Sequence, residues 1–310
     1  MTLIFTIVLP MFALIALGFW AARYRGFSNA MVQGLSRFLG IYALPALLFS
    51  NMAKADIPDP IEWGFLASFY VAALVVFAIA AAWMLLQRRA KEFAPVGLAS
   101  SFSNIALLGT PIIMEAYGAA VAVPVLLLII FQSPLLFTVA TMLAESQRSG
   151  GGRPVEAAWK AIKATAMSPL VMSVLFGLAA NLSHIPISPM IMKGLGLMAQ
   201  TVLPCACFTL GATIAFSPIN GRLLLPSAAM AVMKVALHPM LTWVLAAKVF
   251  MLPPDWIAPA VTAAALPIGV NAYVFAERYE SGRELVSMSL LMSTLLSPIS
   301  ISVAFMVAMG

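Results

Sequence analysis

Apolar residues in this chain come in long unbroken runs, not in the short alternations of a half-buried strand. Stretches free of Asp, Glu, Lys and Arg cover 1–22, 38–53, 63–87, 93–114, 116–144, 164–192, 194–221, 235–247, 256–276 and 285–310. A membrane-crossing helix needs about 20 largely apolar residues, whereas a barrel strand needs about 10 with alternation. With Arg37 and Lys234 admitted inside or beside a helix, the pattern predicts ten spans. They centre near 3–22, 32–52, 64–86, 95–116, 121–144, 163–182, 191–214, 226–248, 257–277 and 286–308. What remains makes loops and tails, with no room for a soluble domain. The expected fold class is an all-α membrane protein of ten transmembrane helices.

Composition agrees. Hydrophobic residues make up 63% of the 310 and charged residues 9%, against about 25% charged in soluble domains. Such a surface cannot be solvated, which removes most soluble-enzyme and nucleic-acid readings. The net charge of +6 has a topological explanation. With the N-terminus outside, the inner loops hold Arg23, Arg25, Arg37, Arg88, Arg89, Lys91, Arg148, Arg153, Lys160, Lys163, Arg222, Arg278 and Arg283, 13 in all. The outer side holds three, Lys54, Lys193 and Lys248. Positive charge stays on the cytoplasmic side, so both termini are expected outside, in a cell membrane of the bacterial inner-membrane type. The partner of this charge is anionic membrane lipid, not nucleic acid. The first segment lacks a basic leader and an Ala-x-Ala site, and is expected to remain as a helix.

The runs also repeat. Pro10 is followed eight residues on by Gly18, and Pro169 eight residues on by Gly177, an offset of 159. Leu44-Pro45-Ala46 matches Leu203-Pro204-Cys205 at the same offset. Glu115-Ala-Tyr117 matches Glu277-Arg-Tyr279 at 162, and Ser133-Pro134-Leu135 matches Ser297-Pro298-Ile299 at 164. Two five-helix copies are expected, 1–147 and 159–310, joined by a cytoplasmic linker at 148–158. An odd number of spans turns the second copy upside down. Inverted copies that exchange conformations give alternating access around a midplane site.

Two spans carry breaking residues near their middle. Span 4 reads Ser103-Asn104-Ile-Ala-Leu-Leu-Gly109-Thr110-Pro111, and span 9 reads Leu266-Pro267-Ile-Gly269-Val-Asn271-Ala-Tyr273. Pro removes a backbone donor and clashes with the preceding turn, and Gly weakens helix further. Freed N–H and C=O groups are tolerated in a bilayer only within protein or beside a cavity. The positive ends of half-helices suit an anionic group. A lone Pro here reads as a kink. Asn, Gly and Pro together in two related spans read as a binding site.

These two motifs resemble those of the auxin efflux carrier family. Ser103-Asn104-Ile-Ala-Leu-Leu-Gly109-Thr-Pro111 with Tyr117-Gly118 is similar to its span-4 motif, and Leu266-Pro267 through Asn271-Ala272-Tyr273, Ala276 and Tyr279 to its span-9 motif. Tyr42-Ala-Leu-Pro45 is similar to its span-2 motif. The likeness covers the whole chain. The family includes the plant PIN-FORMED exporters and bacterial malonate or malate permeases. It implies a ten-helix 5+5 inverted repeat with broken helices 4 and 9 crossing, the fold type of bile-acid symporters and sodium/proton antiporters. It also implies elevator motion against a scaffold of spans 1, 2, 6 and 7, and a homodimer. The long cytoplasmic loop of the large plant exporters is missing here, so the chain resembles the compact bacterial type.

Candidate substrate-binding residues are therefore Asn104, Gly109, Thr110, Pro111, Pro267, Asn271 and Tyr273, with Gln132 and Asn51 as further cavity-lining candidates. Lys234, about eight residues into span 8, and His238 one turn on are candidates for charge or coupling. Lys234 either attracts a carboxylate, stands in for a coupling cation, or reaches back toward the cytoplasm. Glu115 and Glu277 are candidates for capping a half-helix or pairing with a cation at the rim, and Glu115 is a further candidate for charge or coupling. No Asp lies deep in a span, which argues against a paired-Asp antiporter. H⁺ and Na⁺ both stay open as coupling ions, and no other cofactor is expected. Cys205 and Cys207 point apart on one helix, giving neither a metal site nor a redox pair. No catalytic constellation falls within the spans, so no enzyme is expected. The expected function is a carrier of small organic anions, with an ion-coupled carrier of another solute or a channel as the alternatives.

Overall fold

The computed structural model describes residues 9–55, 62–118, 121–148, 159, 163, 167, 169–184, 186–216 and 220–309. The linker expected at 148–158 lies almost wholly outside these residues. In chain order the helices are α1 (Leu9–Tyr24), α2 (Asn29–Phe38), α3 (Leu44–Lys54), α4 (Trp63–Leu86), α5 (Phe93–Ser101), α6 (Thr110–Tyr117), α7 (Ala122–Arg148) and α8 (Pro169–Leu182). They continue with α9 (Pro189–Gln200), α10 (Val202–Ala215), α11 (Leu224–Val232), α12 (His238–Val244), α13 (Pro254–Ala265), α14 (Val270–Arg278) and α15 (Arg283–Met309). Among the described residues, six helical runs are long and apolar enough to cross a membrane: Asn29–Lys54, Trp63–Leu86, Ala122–Glu145, Pro189–Ala215, Gly221–Val249 and Arg283–Val307. Leu9–Tyr24, Ile105–Tyr117 and Pro169–Leu182 are shorter apolar helices.

Proline shapes these rods without always cutting them. Widened π turns occupy Leu39–Ala43, Ile105–Gly109 and Met233–Leu237, and each ends two residues before a proline, namely Pro45, Pro111 and Pro239. The proline has no N–H to donate and its ring presses on the previous turn. The ladder adapts by taking in one extra residue. Pro134 and Pro298 lie inside uninterrupted α7 and α15. Around Pro298 hydroxyls supply bonds to the backbone, Ser297 Oγ donating to Thr294 O at 2.8 Å and Thr294 Oγ1 to Leu290 O at 2.8 Å.

Packing divides the chain into two units that interleave in sequence. The first comprises Met1–Pro60, Ala106–Ile130 and Met167–Ser217. Its helices touch at glycines. A side chain on Gly18 would overlap Phe208 O, and one on Gly211 would overlap Ile15 O, so α1 and α10 meet backbone to backbone. A Cβ on Gly177 would stand 2.8 Å from Phe49 O, which seats α8 on α3 in the same way. Small residues allow this approach where lipid offers no hydrophobic drive for association. Asn181 Nδ2 donates to Met52 O (3.1 Å) and Ala55 O (2.9 Å), closing the end of α3.

The second unit comprises Ile61–Ile105, Phe131–Ala166 and Pro218–Gly310. Here α4 packs on α5, and α15 supports α11, α13 and α14. Its centre is where two helices stop. The first stops at α5, whose chain is extended at Phe102. The second stops at α13, extended at Leu266. The expected break at Pro267 is present. The break expected within the span-4 motif is also present: it lies at the Ser-Asn end, at Phe102–Asn104, while Gly109-Thr110-Pro111 at the other end continue a helix through the π turn. The run Ser100-Ser101-Phe102-Ser103-Asn104 supplies the break, because Ser and Asn side chains compete for backbone groups and favour leaving the helix.

Candidate functional site

The two interruptions are bonded to each other. Asn104 N–H donates to Pro267 O at 3.0 Å, and Gly269 N–H donates to Phe102 O at 2.9 Å. Ser103 and Ile268 form an antiparallel bridge between them. Both segments are buried, as they must be when backbone leaves the helix away from water. Gly269 is required by this approach, since a Cβ there would stand 2.6 Å from the Phe102 ring and 3.3 Å from Ser103 O.

The remaining backbone groups of the second interruption are taken by side chains. Lys234 Nζ donates to Ala264 O at 2.6 Å and to Leu266 O at 2.8 Å. Ser300 Oγ donates to Ala265 O at 2.7 Å. Ile268 N–H donates to Ser293 Oγ at 3.1 Å. Three successive carbonyls at the end of α13 are thus filled by one ammonium and one hydroxyl. The first interruption is held more lightly. Gln132 Nε2 donates to Ser103 O at 2.8 Å. Gln132 Oε1, Ser103 Oγ and Ser100 Oγ have no hydrogen-bonding partner among the described residues, although all three residues are buried.

After the second interruption α14 begins. The first amides of a helix lack an intrahelical acceptor and carry its positive end. Ala272 N–H turns back on Gly269 O at 3.0 Å, Asn271 is exposed, and Tyr273 is half-buried. The geometry therefore places the positive end of a helix, buried oxygens with no partner among the described residues and an exposed amide within a single unit.

Of the residues expected from sequence, this unit gathers Asn104, Gln132, Pro267, Asn271, Tyr273, Lys234 and His238. Lys234 does not reach back to the cytoplasm. It is fully buried on the end of α13. His238 is fully buried, its Nε2 lying 3.4 Å from Phe69 O and its ring 4.9 Å from that of Phe69. Asn51, Gly109, Thr110, Pro111 and Glu115 belong to the first unit. There Asn51 Nδ2 contacts Met114 Sδ at 3.1 Å, Thr110 is buried and Glu115 is exposed. The side chain of Glu277 lies outside the description. Sequence reasoning missed Ser293 and Ser300. Ser289, Ser293 and Ser297 recur every four residues along α15, with Ser300 on the next turn, and that stripe was the available signal.

The chain is 31% identical over 294 residues to a Rhizobium meliloti protein named "Putative malonate transporter", covering 94% of this chain and 91% of that one. It is 32% identical over 120 residues to the mouse (Mus musculus) "Lysosomal cholesterol signaling protein", 37% of this chain and 14% of that one. It is 24% identical over 141 residues to "Auxin efflux carrier component 2" of Arabidopsis thaliana, 44% of this chain and 22% of that one. The pattern of the family described as "Membrane transport protein" matches residues 3–305. All-helical build, apolar spans and this whole-length match lead to one conclusion: the chain belongs to the membrane transport protein family, that of the auxin efflux carriers, and is a multi-pass membrane transporter, not an enzyme.

Proposed function

We propose that the protein carries a small organic anion, a mono- or dicarboxylate of the malonate or malate kind, by alternating access around the two paired interruptions. The observation that carries this reading is the reciprocal bonding of Asn104 to Pro267 and of Gly269 to Phe102. It sets a helix N-terminus beside buried hydroxyls with no partner among the described residues. A carboxylate suits those donors. Asn104, Asn271 and the start of α14 would hold it, with Tyr273 at its side. The malonate named for the Rhizobium meliloti relative supports the size and charge of the cargo.

An inverted five-helix repeat supports the exchange of states. Gly18 and Gly177, 159 residues apart, both sit at backbone contacts, with α1 on α10 and α8 on α3. The equivalent helices of two copies thus take each other's partners, as a two-fold exchange requires. The separation of packing into two units, one of which carries both interruptions, supports elevator motion. Both termini outside a bacterial inner membrane, and a homodimer, complete the reading.

Proteoliposome uptake of labelled malonate, malate and indole acetate tests it. Saturable flux of at least one is expected, and Asn104→Ala or Asn271→Ala should abolish it while the protein stays monodisperse. Absence of flux for every anion would sink the reading, and unchanged flux in a variant would remove that residue from the site.

A further inference from the structure

Lys234 is fully buried, and among the described residues no ion pair involves it. A buried charge needs compensation or it is costly. Here the compensation is backbone. Its ammonium rests on Ala264 O and Leu266 O, while Ser300 occupies Ala265 O between them. These carbonyls lose their helical donors because the chain turns extended at Leu266, and the amides of Ile268 and Gly269 bond instead to Ser293 Oγ and Phe102 O,. The end of α13 also carries the negative pole of its dipole, equivalent to about half a charge. A broken-helix C-terminus with converging carbonyls is the arrangement in which ion-coupled carriers coordinate a dissolved cation. In this chain the Nζ of Lys234 already fills it, tethered to the π turn Met233–Leu237.

We propose that Lys234 is a resident cation, holding with its ammonium the position that an alkali ion takes in a carrier coupled through a broken helix, so that transport proceeds without Na⁺. The proposal rests on the carrier reading above. It assigns Lys234 to the backbone of the site, not to the cargo, and makes it a positioning residue.

Thermal melting of the full-length protein in detergent, in NaCl, KCl and choline chloride at equal ionic strength, reads ion binding without any cargo. The wild type is expected to melt at the same temperature in all three, and its flux to survive replacement of Na⁺ by choline. Lys234→Ala opens a hole beside the carbonyls and is expected to melt several degrees lower. Methylammonium or Na⁺, but not choline, should raise its melting temperature. Lys234→Met keeps the length and loses the charge, and is expected to stay destabilised. Wild-type melting or flux that requires Na⁺ overturns the proposal, as does Lys234→Met melting like the wild type. If Lys234→Ala fails to fold, the wild-type ion comparison and Lys234→Met still decide. If no anion is transported while the melts behave as expected, the carrier reading fails and the resident cation stands.

Discussion

The two interruptions bond to each other yet are sealed by different means. The second is closed by the Lys234 amine and two serine hydroxyls, leaving its carbonyls at Ala264, Ala265, Leu266 and Pro267 all engaged. The first is closed by one neutral amide, Gln132, with three buried oxygens to spare. The same backbone problem therefore has two solutions in one unit. One seals the chain for the sake of the fold. The other leaves polar atoms unspent, and unspent polar atoms in an apolar interior are where a ligand gains most.

The contrast can be broken most severely at the point the interruptions share. Gly269→Val drives a branched side chain into the Phe102 ring and Ser103 O, and overpacking of this kind costs about 3 kcal/mol. Loss of monodisperse protein on mild heating is the expected readout. Next comes Gln132→Leu, which strands Ser103 O and should cost about 1–3 kcal/mol. A melt equal to wild type would mean the amide does not hold the first interruption. Ser300→Ala and Ser293→Ala each remove one bond from the second interruption, at about 1 kcal/mol apiece. Because Lys234 remains, both variants should still fold and transport. The smallest effect is expected at Ser100→Ala, whose hydroxyl has no partner to lose, with stability within about 0.5 kcal/mol of wild type. A larger loss would show that this oxygen is already engaged and would erase the asymmetry.

Much of the fold could be read from residue patterns. The charge-free runs at 63–87, 116–144 and 285–310 foretell α4, α7 and α15, because lipid demands both length and apolarity. Pro267 announces its interruption, since a proline there removes a donor that nothing nearby replaces. Within the span-4 motif Pro111 looks as disruptive as Asn104. A π turn absorbs that proline, and the decision between absorbing and breaking depends on partners across the unit. Lys234 was visible as an intramembrane charge, but its acceptors are carbonyls some thirty residues on. Backbone acceptors have no letter in a sequence. Ser293 and Ser300 hid for a related reason: serines in apolar helices mostly bond to their own preceding turn, as Ser289 does to Leu285 O at 2.7 Å. Ser293 and Ser300 bond to their own turn too, and where α15 meets α13 they also reach its broken end.

The paired bonds from Asn104 to Pro267 and from Gly269 to Phe102 also have a mechanical consequence. Two rivets that close together resist shear as well as separation, so neither severed rod can swing without taking the other along. On the carrier reading proposed above, a solute lodged at such a joint would ride with its berth like freight on a pallet, and the berth itself would not need to deform at any stage of the journey.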